Sequence, residues 1–306
     1  MINWDKKGLF FQPDALLYWQ NSHAALPTAL DLGNGIYRIY FTSRDKENKT
    51  YVGYFDWNLE TNLIKHQDSA APVLSPGSLG FFDDHGVQAT SVVKVNDKVY
   101  MYYLGWNPAL TKPLFYTSIG LAISDDGGKT FTKYSKAPIM SRSEYDPWMV
   151  SGGTVRKENH IWKMWYLSGI DFHIDAAGQA ISRYDIKYAE SSDGINWQRN
   201  GHVCMPLADD ESNISRLSII QQEGLYKAWY PVKKLGSMGY RIGYAESKDG
   251  LNWDRQDHLS GIDVSEEGWD SQALDKQEVI FHMGKYYMLY NGNSFGRDGI
   301  GLATFE

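Results

Sequence analysis

The sequence predicts an all-β fold, a five-bladed β-propeller whose last blade is completed by the N-terminal strand. Three observations predict it. A short aromatic strand recurs five times: Tyr37 to Phe41 (YRIYF), Tyr100 to Leu104 (YMYYL), Trp162 to Tyr166 (WKMWY), Tyr226 to Tyr230 (YKAWY) and Tyr286 to Tyr290 (YYMLY). Their starts lie 60 to 64 residues apart, and such a period filled with short strands and tight turns signals radial β repetition. Asp-Gly turns follow the third strands of three copies. Finally, the chain ends on the third strand of the fifth copy, and the only unassigned strand is at the N-terminus.

The fourth copy shows how a repeat is built. Residues 216–222 (RLSIIQQ) read as a first strand, Glu223-Gly224 as a tight turn and 225–230 (LYKAWY) as a second strand. After a looser stretch, 231–240, residues 241–247 (RIGYAES) give a third strand, and an Asp-Gly turn leads to a fourth at Trp253. Alternation and turn residues support each assignment. Third strands elsewhere are 51–56, 118–124, 185–191 and 299–304. The turns after them read SDDGGKTF (124–131), SSDGINW (191–197) and SKDGLNW (247–253). The first matches the Asp-box pattern and the other two are one residue shorter. Ser and Asp there bond turn amides and glycine takes positive φ, so this is a fold signal rather than a catalytic one. The N-terminal segment, residues 8–11 (GLFF) or 2–4 (INW), is expected to pair with the last blade and remove an exposed edge.

Repeats over the whole length favour one domain, 1–306. The chain is 42% hydrophobic and 14% aromatic, with 21 Tyr and 11 Trp, enough for a large core and for stacking surfaces. A net charge of −7 argues against nucleic acid or an anionic membrane as partner. The N-terminus has no apolar run of signal-peptide length, and no stretch resembles a membrane span. The single cysteine, Cys204, excludes an internal disulfide and reads as a buried thiol. A soluble cytoplasmic protein with no cofactor and no metal is the simplest expectation, its partner being a small molecule or oligosaccharide.

The site is expected on the face carrying the long loops between second and third strands, 105–117, 168–184, 231–240 and 291–298, because variable loops over a rigid scaffold usually bind. Sixteen residues before the repeat starts lie Asn21, Asp84, Asp146, Asp210 and Asp270. Either Asp caps a turn entering each blade, or Asp84, Asp146 and Asp270 form a carboxylate cluster for acid–base chemistry. Asp210, in an acidic run, reads as solvated. Arg216 occupies a column whose other members are Pro27, Thr90, Gly152 and Lys276. A charge there should enter the central channel, to grip a substrate or to pair with a carboxylate. His23, Arg44, Asp45, Gln272 and Asn291 are further substrate-binding candidates, and Trp106, Trp148 and Trp269 are candidate stacking surfaces or core.

These residues carry a resemblance. In HAALPTAL (23–30), YRIYFTSRD (37–45), FDDHGVQATSVV (82–93), KMWYLSG (163–169), YRIGYAESKDGLNW (240–253), GWDSQ (268–272) and YNGNSFGRDGIGLA (290–303), the chain resembles the five-bladed propeller superfamily of glycoside hydrolase families 32, 43, 62, 68 and 130. It is closest to uncharacterised bacterial glycosidase-like proteins of polysaccharide and sugar biosynthesis clusters. The resemblance implies sugar chemistry at the central funnel, generally by two Asp and one Glu on the first three blades. This chain has Asn21 and His23 instead of a first-blade Asp, Glu144 as the nearest third-blade Glu, and Gln272 where the close relatives imply Glu. The readings that follow are an enzyme acting on a glycoside or sugar-containing intermediate, a non-catalytic carbohydrate-binding propeller, or a transferase, phosphorylase or cyclase on the same scaffold.

Overall fold

The computed structural model describes residues 2–109, 115–174 and 180–306. It is nearly all β. The first antiparallel run is β2 (Ser22–Gly33), β3 (Ile36–Arg44), β4 (Thr50–Asn58) and β5 (Leu63–His66), preceded in the chain by β1 (Asp5–Phe11). Next come β6 (Gly86–Val95), β7 (Lys98–Pro108), β8 (Phe115–Ser124) and the two-residue β9 (Thr132–Lys133). They are followed by β10 (Val150–Glu158), β11 (Ile161–Ile174), β12 (Ala180–Ser191) and β13 (Gln198–Met205). The fourth inner strand is broken into β14 (Glu211–Ile214) and β15 (Ser218–Gln222), both paired with β16 (Leu225–Lys234), which pairs with β17 (Arg241–Ser247) and then β18 (Asp254–Arg255). Last are β19 (Asp275–His282), β20 (Lys285–Asn291) and β21 (Ile300–Phe305), and β1 pairs antiparallel with β21.

The aromatic repeats are the centres of β3, β7, β11, β16 and β20, and most of their side chains are buried. The turns before them fit the right-handed twist of the strands. Asn34 and Gly35 have φ of 53° and 71°, and Glu223 and Gly224 have 51° and 78°, the paired positive φ of a type I′ hairpin. The loops after them are shorter than the sequence implies. Pairing continues from Gly105↔Ser118 to Pro108↔Phe115 and from Asp171↔Arg183 to Ile174↔Ala180, so much of 105–117 and 168–184 is strand. Residues 110–114 and 175–179 of those loops lie outside the described residues.

The Asp turns tie neighbouring runs together. Asp126 Oδ1 accepts the amides of Lys129 and Thr130 at 2.9 and 3.0 Å, and Ser124 Oγ accepts that of Gly128 at 2.8 Å. The Gly128 carbonyl then accepts the Tyr40 hydroxyl at 2.7 Å. Tyr102 donates likewise to Gly194 at 2.8 Å and Trp165 Nε1 to Gly250 at 2.5 Å. Each turn therefore anchors an aromatic of the preceding run. The first strands are linked in their own sequence. Thr28 Oγ1 donates to Ala89 at 3.2 Å, Ser91 Oγ accepts from the Val155 amide at 3.0 Å, and Thr154 Oγ1 donates to Leu217. Ser218 Oγ accepts from the Val279 amide at 2.8 Å, and Glu278 Oε1 accepts from the Ala29 amide at 3.2 Å, returning from β19 to β2. Among the described residues no helix is long and apolar enough to cross a membrane.

Candidate functional site

A cavity of about 500 Å³ opens among the first strands. Its wall comes from the leading ends of first strands and from the ends of β3, β7 and β16. None of the lining residues belongs to the Asp turns. Of the column that contains Arg216, Thr90, Gly152, Arg216 and Lys276 line the cavity and Pro27 does not.

Arg216 is buried and fully engaged on one side. It meets Glu278 Oε2 at 3.0 Å and donates to the carbonyls of Thr90, Pro27 and Gln277 at 3.0, 2.9 and 2.9 Å. Burial pushes the Glu278 carboxyl up, and Arg216 opposes that shift. Both alternatives read from the sequence meet here: Arg216 has a structural carboxylate and still faces the cavity. Its Nε, and the Thr42 hydroxyl on the same wall, are buried with no protein partner.

His23, Arg44 and Trp106 also line the cavity. Burial, with Arg44 and Arg297 nearby, lowers the His23 imidazole to about 4, so it is neutral at pH 7. Burial lowers the Arg44 guanidinium as well. Trp106 donates from Nε1 to Thr50 Oγ1 at 2.8 Å and packs edge-on to His85 at 4.6 Å. Four wall residues hold left-handed backbone: His23 at φ 65°, Leu26 at 55°, Lys276 at 51° and Phe295 at 60°. Non-glycine residues are strained there, and such strain clusters where function over-determines geometry.

The carboxylates expected at the axis lie elsewhere; none of Asp84, Asp146 and Asp270 lines the cavity. Asp84 Oδ2 accepts the Gly80 amide at 2.8 Å and closes a surface turn. Its neighbour Asp83, 1% exposed, is the true counterpart of the other two. Asp83, Asp146 and Asp270 each accept the hydroxyl of the tyrosine twenty residues on, Tyr103, Tyr166 and Tyr290. Each also meets a cation from the outer strand: Lys133 at 2.6 Å, Arg199 at 2.8 Å and Lys6 at 2.9 Å. The carboxylates thus pin outer strands to second strands, so their periodicity comes from the fold. The constant sixteen-residue offset misassigns the second copy by one residue, because it is counted from Tyr100, whereas the residue equivalent to Trp162 and Tyr286 is Val99; measured from the bonded tyrosine the spacing is twenty residues in all three copies.

The remaining candidates have local roles. Asp45 Oδ1 accepts the amides of Glu47 and Lys49 at 2.8 and 2.9 Å, shaping a turn. Asn291 is fully buried; it accepts the Leu26 amide at 2.9 Å and donates to Ala24 and Gly299, each at 2.8 Å, holding the strained start of β2. Trp269 stacks on Tyr290 at 5.3 Å and fills the space over Gly292 and Gly301 that any Cβ would enter. Trp148, 44% exposed, packs edge-on to Phe172 at 5.6 Å. Gln272 is exposed, with its amide bonded to Asn293 Oδ1 at 2.7 Å.

Sequence reasoning missed Lys233, Tyr184 and Tyr240, all on the wall. The Tyr184 and Tyr240 hydroxyls bond each other, and burial raises both pKa values. Asp275 adds to that rise; it is buried, 3.4 Å from Lys276 Nζ, and its Oδ2 has no hydrogen-bond partner. Lys233 and Tyr240 lie in 231–240 and Tyr184 at the end of 168–184, both read as undifferentiated loops; none stands in a repeating column.

No family model matches the chain. Two uncharacterized proteins of Mycobacterium tuberculosis, MT1551 (strain CDC 1551 / Oshkosh) and Rv1502 (strain ATCC 25618 / H37Rv), are each 36% identical over 304 residues, covering 99% of this chain and 99% of each relative. The chain belongs to their family. A 1,2-beta-oligomannan phosphorylase of Thermoanaerobacter sp. (strain X514) is 31% identical over 99 residues, 29% of this chain and 33% of that protein. Among solved structures, a thermostable family-43 glycoside hydrolase superposes with a TM-score of 0.65 at 18% identity, covering 93% of this chain and 91% of that one. A family-130 structure, described with glycoside hydrolases that target beta-1,2 mannosidic linkages in Candida mannan, gives 0.69 at 15% identity over 97% and 91%. These likenesses place the fold among the glycoside hydrolase-like propellers, as the sequence resemblance implies.

Proposed function

We propose that this protein is a single five-bladed propeller, 1–306, and an enzyme that processes a carbohydrate bound in the central cavity. The observation that carries the reading is the cavity itself. It combines aromatic faces (Trp106, Phe115 and Phe295) with hydrogen-bonding groups such as Gln88, Ser182 and Asn213, the mixture that grips sugar rings and hydroxyls. The antiparallel runs, their linked first strands and the β1–β21 pairing support the blade arrangement. His23, Arg44, Trp106 and Arg216 are the proposed ligand contacts.

Hydrolysis by a carboxylate pair on the wall has no support among the described residues, since none of the lining residues is Asp or Glu. The chemistry that fits better is transfer or phosphorolysis. Tyr184 and Tyr240 keep their protons and bond each other on the wall, and Asp275, buried and close enough to raise both hydroxyls further, is the proposed acid–base group. The test is turnover of candidate sugar donors, followed by Asp275→Asn. Loss of about 10²–10⁴ in rate with folding intact is expected for an acid–base group. Full activity would remove Asp275 from the reaction. The absent wall carboxylates also favour a second reading, a carbohydrate-binding propeller without turnover; saccharide binding with no product from any donor would establish it.

A further inference from the structure

Four cationic side chains line the central cavity, and no lining residue among those described is a carboxylate. The fold answers two of the four. Arg216 has Glu278 at 3.0 Å, and Lys276 has Asp275 at 3.4 Å. Arg44 and Lys233 have no carboxylate partner among the described residues. The cavity therefore keeps positive charge inside a protein whose net charge is −7.

Withdrawing unpaired cations from water costs free energy. A neutral sugar seated here would bury Arg44 and Lys233 further and return no charge. A phosphoryl group brings up to two negative charges and three acceptor oxygens, which a guanidinium fork and ammonium groups satisfy. The cations reach the cavity from separate runs: Arg44 ends β3, Lys233 lies on β16 and Lys276 on β19. Positive charge converging from several elements into a walled cleft focuses potential on one bound group. His23, uncharged beside Arg44, is free to share a hydrogen bond there, and the partnerless Thr42 hydroxyl offers another.

We propose that the sugar taken by the central cavity carries a covalently attached phosphoryl group, as in a sugar phosphate or a nucleoside-diphosphate sugar, held by Arg44, Lys233 and Lys276. The proposal rests on the reading of the cavity as a sugar site. It places the protein after a reaction that activates a sugar by phosphorylation or nucleotidyl transfer.

The experiment is calorimetric titration of the full chain with mannose, glucose, mannose 1-phosphate, glucose 1-phosphate, mannose 6-phosphate, GDP-mannose, UDP-glucose and inorganic phosphate. The same panel is run on Arg44→Gln and Lys233→Gln, with melting curves as the folding control and Arg44→Lys and Lys233→Arg as conservative variants. At least one phosphorylated sugar should bind ten-fold or more tighter than its parent sugar and than inorganic phosphate. Each Gln variant should weaken it about ten-fold, the equivalent of one charge-assisted contact. Binding of the parent sugar by Lys233→Gln, which is not one of the proposed sugar contacts, should change less than three-fold, and the conservative variants should recover part of the loss. Sugar phosphates separate from nucleotide sugars by which probe wins. Equal binding of parent and phosphorylated sugars, unmoved by the Gln variants, overturns this inference and leaves the sugar reading standing. Inorganic phosphate binding as tightly as every phosphorylated sugar overturns the sugar reading too, leaving a bare anion site. Absence of binding by every phosphorylated probe overturns the inference.

Discussion

Removing the N-terminal strand should unfold the protein, and the size of the effect follows from what β1 touches. Its register runs from Asp5↔Thr304 to Phe11↔Ile300. Phe11, 5% exposed, stacks on Phe55 at 4.2 Å and packs in the core of the first run. Just before the strand, Trp4, 6% exposed, meets Phe305 at 4.7 Å and Trp229 at 5.8 Å, and its Nε1 donates to Ser260 at 3.0 Å. Lys6 pairs with Asp270 at 2.9 Å. The segment thus joins the start of the chain to its end through two separate cores. Truncating a buried aromatic to alanine costs about 3–5 kcal/mol, so Trp4→Ala and Phe11→Ala should each lose that much in urea denaturation. Deleting residues 1–12 removes both aromatics and the ladder, and strands Asp270 without its cation. That loss approaches the roughly 5–15 kcal/mol that holds a whole domain, so the truncated chain should lack a cooperative transition. If it melts like the full chain, β1 is an appendage and the closure argument is wrong.

The sequence made the strands legible because their signals are local and repeated. The aromatic centres of β3, β7, β11, β16 and β20 alternate, and the Asp turns carry their own hydrogen-bonding chemistry. The column of Arg216 was legible for the same reason: Thr90, Gly152 and Lys276 stand at equivalent places and reach one cavity. The Asp column was legible and misleading. A repeating residue in a repeating fold serves the repeat first, and Asp83, Asp146 and Asp270 all bind a tyrosine and an outer-strand cation. Residues that break the repeat were not legible. Lys233 and Tyr184 reach the wall because β16 and β12 extend beyond the repeated core, a length that depends on long-range pairing rather than on local pattern.

Three further outcomes are expected. Asp146→Asn should cost about 2–3 kcal/mol by removing the buried charge that Arg199, Ser168 and Tyr166 share, whereas Asp84→Asn, on a surface turn, should cost no more than about 1 kcal/mol; chemical denaturation of both variants checks this, and equal losses would contradict the register correction. Burial lifts the Asp185 carboxyl to about 6. A raised carboxylate favours the folded state below its unfolded pKa, and that advantage is lost as pH rises through 6. Asp185→Asn should therefore gain roughly 1–3 kcal/mol at pH 8 and nothing at pH 3.5; a loss at pH 8 would mean the charged form is needed. His23 titrates near 4 when folded and near 6.5 when unfolded, so the unfolded chain binds its proton first and His23 should lower stability as pH falls from 6.5 to 4; an imidazole titrating near 6.5 in an NMR pH series would show that Arg44 and burial do not act on it as described.

The central cavity as the sugar site is tested most directly by a crystal structure of the protein with the phosphorylated sugar that binds it most tightly. The account predicts ligand density within hydrogen-bonding distance of Arg44, Lys233 and Lys276, with the sugar ring against Trp106 or Phe115. Density beside the Asp turns at Asp126, Asp193 and Asp249, with the central cavity holding only solvent, would contradict it.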